Sequence, residues 1–251
     1  MDIVILGSGN VAAVLGRKFV EAGHRILQIF SRNASDASAL AYEWDTESTN
    51  YISMINKNAD VYIIAVTDSA IEKVIADLRL PGKVVAHTAA SVPREILKNV
   101  SPHHGVFYPL QSMRKEISGL PEVPIFVDGA DEIAKAALTR LAATISPQNT
   151  ETAGNDQRMK IHVAAVMLNN FVNHFYKLLE DFCQREGIDF RQLIPLIVET
   201  AKRLEKASPA SVQTGPAIRG DLGTIDQHLA LLERHPELKK IYELVTQSIR
   251  L

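Results

Sequence analysis

The run Ile3-Val4-Ile5-Leu6-Gly7-Ser8-Gly9-Asn10-Val11-Ala12 is a buried strand that breaks into a glycine turn and then into a helix. In such a turn the first glycine permits a tight bend, the second lets a diphosphate approach the backbone, and the small Ala12 lets the helix close on the strand. The bare amides and the positive end of that helix then suit an anionic diphosphate. Gly7, Ser8, Gly9, Asn10 and Val11 are therefore the expected cradle of a dinucleotide.

Outward from this turn, apolar runs alternate with helical patterns. Strands are expected at Ile3–Leu6, Arg25–Phe30, Ala59–Val66 and Lys83–His87, and helices at Val11–Ala22, Asp36–Glu43 and Ser69–Leu78. Continuous apolar strands separated by helices predict a parallel sheet covered on both faces. Short strands are expected at Val106–Tyr108, Val123–Val127 and Asn149–Ala153, with an amphipathic helix over Asp131–Ile145. From Asp156 the pattern is helical: Asp156–Arg185, Phe190–Lys206, Thr224–Arg234 and Pro236–Ile249, with Ser208–Gly223 as a loop. The expected fold is α/β, a mostly parallel sheet followed by an all-helical domain, divided as 1–153 and 154–251.

Composition narrows the function classes. The chain has 251 residues, 46% of them hydrophobic, enough for two domains with cores. A formal charge of −2 supplies no basic field for nucleic acid and no polybasic membrane anchor. No segment approaches the ~20 apolar residues of a membrane span. The single Cys183 leaves no internal disulfide and no four-cysteine zinc site, and no metal is expected. Met1-Asp2 leads straight into a strand, so a cytoplasmic protein without a signal peptide is expected.

In an open parallel sheet, ligands bind at the carboxyl ends of the strands. Polar residues follow each strand here. After the second strand, Ser31 and Arg32 stand where NAD-binding folds place an acid. A hydroxyl and a guanidinium suit a 2′-phosphate, which favours NADP over NAD. Val66 and Thr67 line the expected dinucleotide path, Thr67 alternatively capping a helix, and His87, which ends another strand on the same crest, is expected to contact the nicotinamide or a substrate carbonyl, or alternatively to be structural. On the long helix, His162, Asn169, Asn170 and Asn173 are spaced to share one stripe. His162 can donate a proton as hydride arrives, and Asn170 can orient a substrate. Lys160 is a competing donor. In Thr214-Gly215-Pro216-Ala217-Ile218-Arg219-Gly220-Asp221, Arg219 can clamp a carboxylate or pair with Asp221.

These motifs, with Ala65-Val66-Thr67-Asp68, His87-Thr88-Ala89-Ala90, Tyr108-Pro109-Leu110-Gln111-Ser112 and Ile161-His162-Val163-Ala164-Ala165, resemble the Rossmann-like NADP oxidoreductases that carry a helical C-terminal domain of unassigned function. At superfamily level the chain is similar to pyrroline-5-carboxylate reductase, to β-hydroxyacid and ketopantoate dehydrogenases, and to deazaflavin-dependent NADP oxidoreductases. The resemblance implies NADP, a small-molecule substrate and a homodimer formed through the helical domain. The β-hydroxyacid dehydrogenases place a catalytic lysine four residues before an asparagine, whereas here Ala164 follows Lys160 at that distance. A dinucleotide-sensing protein without turnover is the competing reading.

Overall fold

The structure, a computed structural model, describes residues 1–117 and 122–251. The chain forms two compact units, Met1–Met167 and Leu168–Leu251. The division falls inside the long helical stretch, so that stretch begins as part of the first unit.

In the first unit an eight-stranded sheet runs β3-β2-β1-β4-β5-β6-β7-β8. Its strands are β1 (Asp2–Leu6), β2 (Arg25–Phe30), β3 (Glu47–Thr49), β4 (Val61–Ile64), β5 (Val84–His87), β6 (His104–Pro109), β7 (Ile125–Gly129) and β8 (Thr150–Thr152). β1 to β6 are mutually parallel, β7 runs antiparallel to β6, and β8 parallel to β7. The carboxyl ends of six strands therefore share one crest. Strand residues alternate between two faces. Ile3, Ile5, Val61 and Ile63 join the core beneath α1 (Asn10–Glu21), α2 (Ala34–Glu43) and α4 (Glu132–Ile145). Val4, Leu6, Tyr62 and Ile64 pack on the other face against α3 (Ile71–Ile75) and the segment around Leu97. Burial on both faces is why these strands read as unbroken apolar runs.

The helix expected over Ser69–Leu78 is shorter. A tight turn, Asp68–Ala70, leads into α3, and the Arg79 guanidinium then caps the carbonyls of Ala76 and Leu78 at 2.9 and 2.8 Å. β3 was not foreseen, being a three-residue polar edge strand without an apolar signature. The long helix is interrupted: α5 (Asn155–Ala165) passes through a π-helical segment, Val166–Phe171, into α6 (Val172–Arg185). α-Helical spacing does not carry across such a segment. The stripe drawn from His162 to Asn169, Asn170 and Asn173 is therefore not continuous.

The second unit continues with α7 (Ile194–Arg203), α8 (Pro216–Arg219), α9 (Leu222–Leu231) and α10 (Pro236–Arg250). α8 lies within the expected loop 208–223; Pro216 starts it and the left-handed Gly220 ends it. This unit buries few apolar side chains, namely Cys183, Ala217, Ile225, Leu232 and Leu238, and exposes many more, including Leu168, Phe171, Leu196, Leu231, Leu244 and Val245. Among the described residues no helix is long and apolar enough to cross a membrane.

β6 and β7 approach closely at Gly105, where an added Cβ would lie 2.2 Å from the Asp128 carbonyl oxygen. That oxygen is backbone and has little room to move, so Gly105→Ala should cost about 1–3 kcal/mol through overpacking. A lowered midpoint in urea unfolding checks this.

Candidate functional site

The turn after β1 forms a cradle at the crest. Gly7 has φ +134°, and a Cβ there would fall 2.1 Å from the Ala65 carbonyl oxygen, so only glycine fits. Its amide donates to the Phe30 carbonyl at 2.7 Å, tying the ends of β1 and β2 together. A Cβ at Gly9 would meet nothing within 4 Å, so this backbone is open to an approaching group. Among the described residues no side chain caps the start of α1, and its first turn carries no acid. Bare amides, an uncapped twelve-residue helix and missing negative charge together fit a diphosphate. Asn10 turns its Oδ1 to the Lys115 amide at 3.2 Å, bringing the segment after β6 against this helix. Val11 is half-buried.

At the end of β2, Ser31 is buried and its Oγ lies 2.8 Å from Ser8 Oγ, linking the cradle to the next turn. Asn33 caps α2 through the amides of Ser35 and Asp36, which frees Arg32 of capping duty and leaves it exposed. Arg32 borders a cleft with Phe30, Ile52, Lys73, Val74 and Asp77. The buried Phe30 and Val74 with the exposed cations Arg32 and Lys73 suit an aromatic base and a phosphate, with Asp77 as the one carboxylate of the lining. Lys73 escaped the sequence reading because nothing local marks a helical lysine as a neighbour of Arg32. Val66 packs half-buried on the core, and Thr67 is exposed. Thr67 starts the following turn without a side-chain capping bond, so its hydroxyl is not committed to capping.

His87 ends β5 but is wholly buried. Its Nδ1 accepts the Ala89 amide at 3.2 Å. Burial first, and the nearby Arg158 charge second, push its imidazole down to about 4. A neutral, enclosed ring holds the loop after β5 rather than offering itself to a ligand. Beyond it, Ser91 Oγ donates to Asp68, joining the turns that follow β5 and β4.

Arg158 on α5 is 1% exposed. It donates to the carbonyls of Ala90 at 3.0 Å and Val92 at 2.7 Å and to Asn155 Oδ1 at 2.9 Å. Its Nη1 lies 3.9 Å from the Asp128 carboxylate, which also pairs with Arg94. These bonds fix α5 against the crest. One turn further on, His162 Nδ1 lies 3.0 Å from the Tyr108 hydroxyl, at the end of β6. The two rings meet edge to face with centroids 6.1 Å apart. Lys160 is exposed on the same helix.

Asn170 and Arg219 belong to the second unit, and both are exposed. Asp221 does not pair with Arg219; it caps α9 through the Thr224 amide at 3.1 Å and hydroxyl at 2.8 Å. No ion pair of Arg219 occurs among the described residues.

A parallel sheet with a glycine cradle at its crest defines a nicotinamide-dinucleotide-binding oxidoreductase fold. Residues 2–91 match the family described as "NADP oxidoreductase coenzyme F420-dependent", and residues 123–249 match a domain of unknown function, DUF2520. The chain is similar to a Bacteroides fragilis protein that carries the name NADP oxidoreductase, with 34% identity over 99% of this chain and 97% of the other and a TM-score of 0.88. Its fold is shared by 1-pyrroline-5-carboxylate reductase from Streptococcus pyogenes (14% identity, 100% and 98% covered, TM-score 0.68). It is also shared by an imine reductase from Myxococcus stipitatus solved with NADP+ (14%, 100% and 93%, 0.66). No protein of curated function matches the chain. The chain belongs to the NADP oxidoreductases with a DUF2520 domain, and NADP is its nicotinamide coenzyme.

The state of His87 makes stability depend on pH. Its folded value of about 4 lies below the ordinary 6.5, so the unfolded chain binds this proton more readily. Stability should fall as pH drops from 6.5 towards 4, by about 2 kcal/mol at pH 5 from this residue alone. Urea unfolding at pH 7 and pH 5 should show this loss in the wild type and a smaller one in His87→Gln.

Proposed function

We propose that this protein is an NADP-dependent reductase, moving hydride between the nicotinamide and a small polar carbonyl or imine, with His162 as proton donor. The observation that carries the reading is the Tyr108–His162 pair at the end of β6, on the crest that holds the Gly7–Gly9 cradle. Gly7 makes the bend, and the amides at Ser8 and Gly9 and the start of α1, with Asn10 and Val11, hold the diphosphate. Ser31, Arg32 and Lys73 face the 2′-phosphate end, and Val66 and Thr67 line the path between. When bound, NADPH supplies the hydride; the chain orients the reactants and manages the proton. His162 Nε2 gives its proton to the oxygen or nitrogen left electron-rich by reduction while Nδ1 takes the proton of the Tyr108 hydroxyl, so the ring stays neutral and the phenolate regains its proton from solvent. Asn170 and Arg219 are the second unit's candidates for orienting a substrate and for pairing with an anionic group on it.

The excess of exposed over buried apolar side chains in the second unit supports a second copy of the chain as its cover. A homodimer should appear in sedimentation equilibrium, and Leu244→Asp combined with Val245→Asp should shift it towards monomer. An unchanged dimer would remove these residues from the interface.

Fluorescence titration should show NADPH binding more tightly than NADH. Arg32→Met and Lys73→Met should each weaken NADPH by roughly tenfold, about 1.4 kcal/mol, with NADH little changed. Equal affinities for the two coenzymes would sink the assignment of Arg32. NADPH oxidation is then followed with carbonyl, imine and oxidised deazaflavin acceptors. His162→Ala should lower turnover about a hundredfold or more and leave NADPH affinity intact. Binding without turnover of any acceptor would favour the sensing role.

A further inference from the structure

We infer that Tyr108 is the positioning residue of this site, fixing His162 in the form whose Nε2 carries the proton and whose Nδ1 is bare. The inference rests on the reading of His162 as proton donor and goes a step deeper into the same site.

Tyr108 is buried at the end of β6, beside Phe126 and beneath α5. Burial raises its phenol above the ordinary range, with the Arg158 charge lowering it and Asp68 raising it to lesser degrees. The group therefore stays a neutral O–H across the working pH range. A buried hydroxyl left without an acceptor costs about 1–3 kcal/mol. Among the described residues the sole partner of Tyr108 Oη is His162 Nδ1, at 3.0 Å. The O–H satisfies itself by donating there, and an imidazole nitrogen that accepts is unprotonated. The neutral ring then carries its proton on Nε2, which meets no partner among the described residues and is the end left for a substrate.

The backbone makes the pairing rigid. Arg158, four residues before His162, fixes α5 through the carbonyls of Ala90 and Val92. Tyr108 is held in the sheet, where it pairs with Phe126 of β7. Neither ring has to search for the other. Orienting a histidine through one nitrogen so that the other can act is a general device for controlling proton transfer. Here a phenol takes that part, and among the described residues no carboxylate bonds to the ring.

The test is a spectroscopic one that needs no substrate. Two-bond proton–nitrogen spectra of protein labelled with ¹⁵N-histidine, with the His162 signals assigned by their loss in His162→Gln, should show a bare Nδ1 and a protonated Nε2. In Tyr108→Phe the Nδ1 resonance should move towards the position of free neutral imidazole. Replacing the tyrosines by 3-fluorotyrosine keeps the packing and strengthens the phenol as a donor, and should move Nδ1 the opposite way. This arm remains informative if Tyr108→Phe does not fold. A proton on Nδ1 in the wild type, or an Nδ1 resonance indifferent to both replacements, would overturn the inference whatever the role of His162. With an acceptor from the panel above, Tyr108→Phe should lower kcat about tenfold and leave KM and the NADPH dissociation constant unchanged. If His162→Gln retains full turnover while the spectra are as expected, the reading of His162 as donor fails, and the inferred purpose of Tyr108 fails with it.

Discussion

One guanidinium holds the site-bearing end of the first unit together. Arg158 is almost completely removed from water, and such a charge is costly unless its donors are met. Its Nε and Nη2 meet two carbonyls of the loop after β5 and the Asn155 amide oxygen, while Nη1, which makes no hydrogen bond among the described residues, faces the Asp128 carboxylate at 3.9 Å. Loop, helix and strand β7 are thereby held in one arrangement. The position of His162 on α5, and so its contact with Tyr108, depends on that arrangement. The same charge helps keep His87 neutral, which suits a ring shut beneath the crest.

The crest divides into two chemically different halves. On the side of β1 and β2, bare amides and the cations Arg32 and Lys73, with Asp77 as the one carboxylate of their cleft, leave an excess of positive charge, an environment for phosphate. On the side of β4, β5 and β6, hydroxyls, an imidazole and a carboxylate bond to one another, as in Ser91 with Asp68 and Tyr108 with His162. The first half has the charge to suit an anion, and the second has the groups to pass a proton. A parallel sheet makes this possible because it delivers the ends of strands distant in sequence to one edge.

The elements most legible in the sequence were those with strong local signals. β2 was expected at Arg25–Phe30 and lies there, and the glycine turn after β1 occupies the conformation its spacing implies. Signals failed where tertiary contacts overrode or replaced local preference. β3 exists because β2 offers it an edge, not because Glu47, Ser48 and Thr49 favour a strand. The π-helical segment breaks the polar stripe without any proline or glycine to announce it. His87 carried a binding expectation from its place at a strand end, yet the side of β5 on which it falls closes over it. Tyr108 stands out in the sequence only as the end of an expected short strand and the start of a family motif, because its partner is 54 residues away.

The sequence by itself determined the main alternation of strands and helices, the glycine turn after β1 and the Ser31-Arg32 pair that suits a phosphorylated ribose. Each of these is written in residues adjacent to one another, where periodicity, glycine and charge act directly. Only the tertiary structure decided which polar groups work as pairs: Ser8 with Ser31, Arg32 beside Lys73, and Tyr108 on His162. Such pairs form between segments brought together by burial of the sheet, and the distances between them are properties of packing that no local pattern encodes.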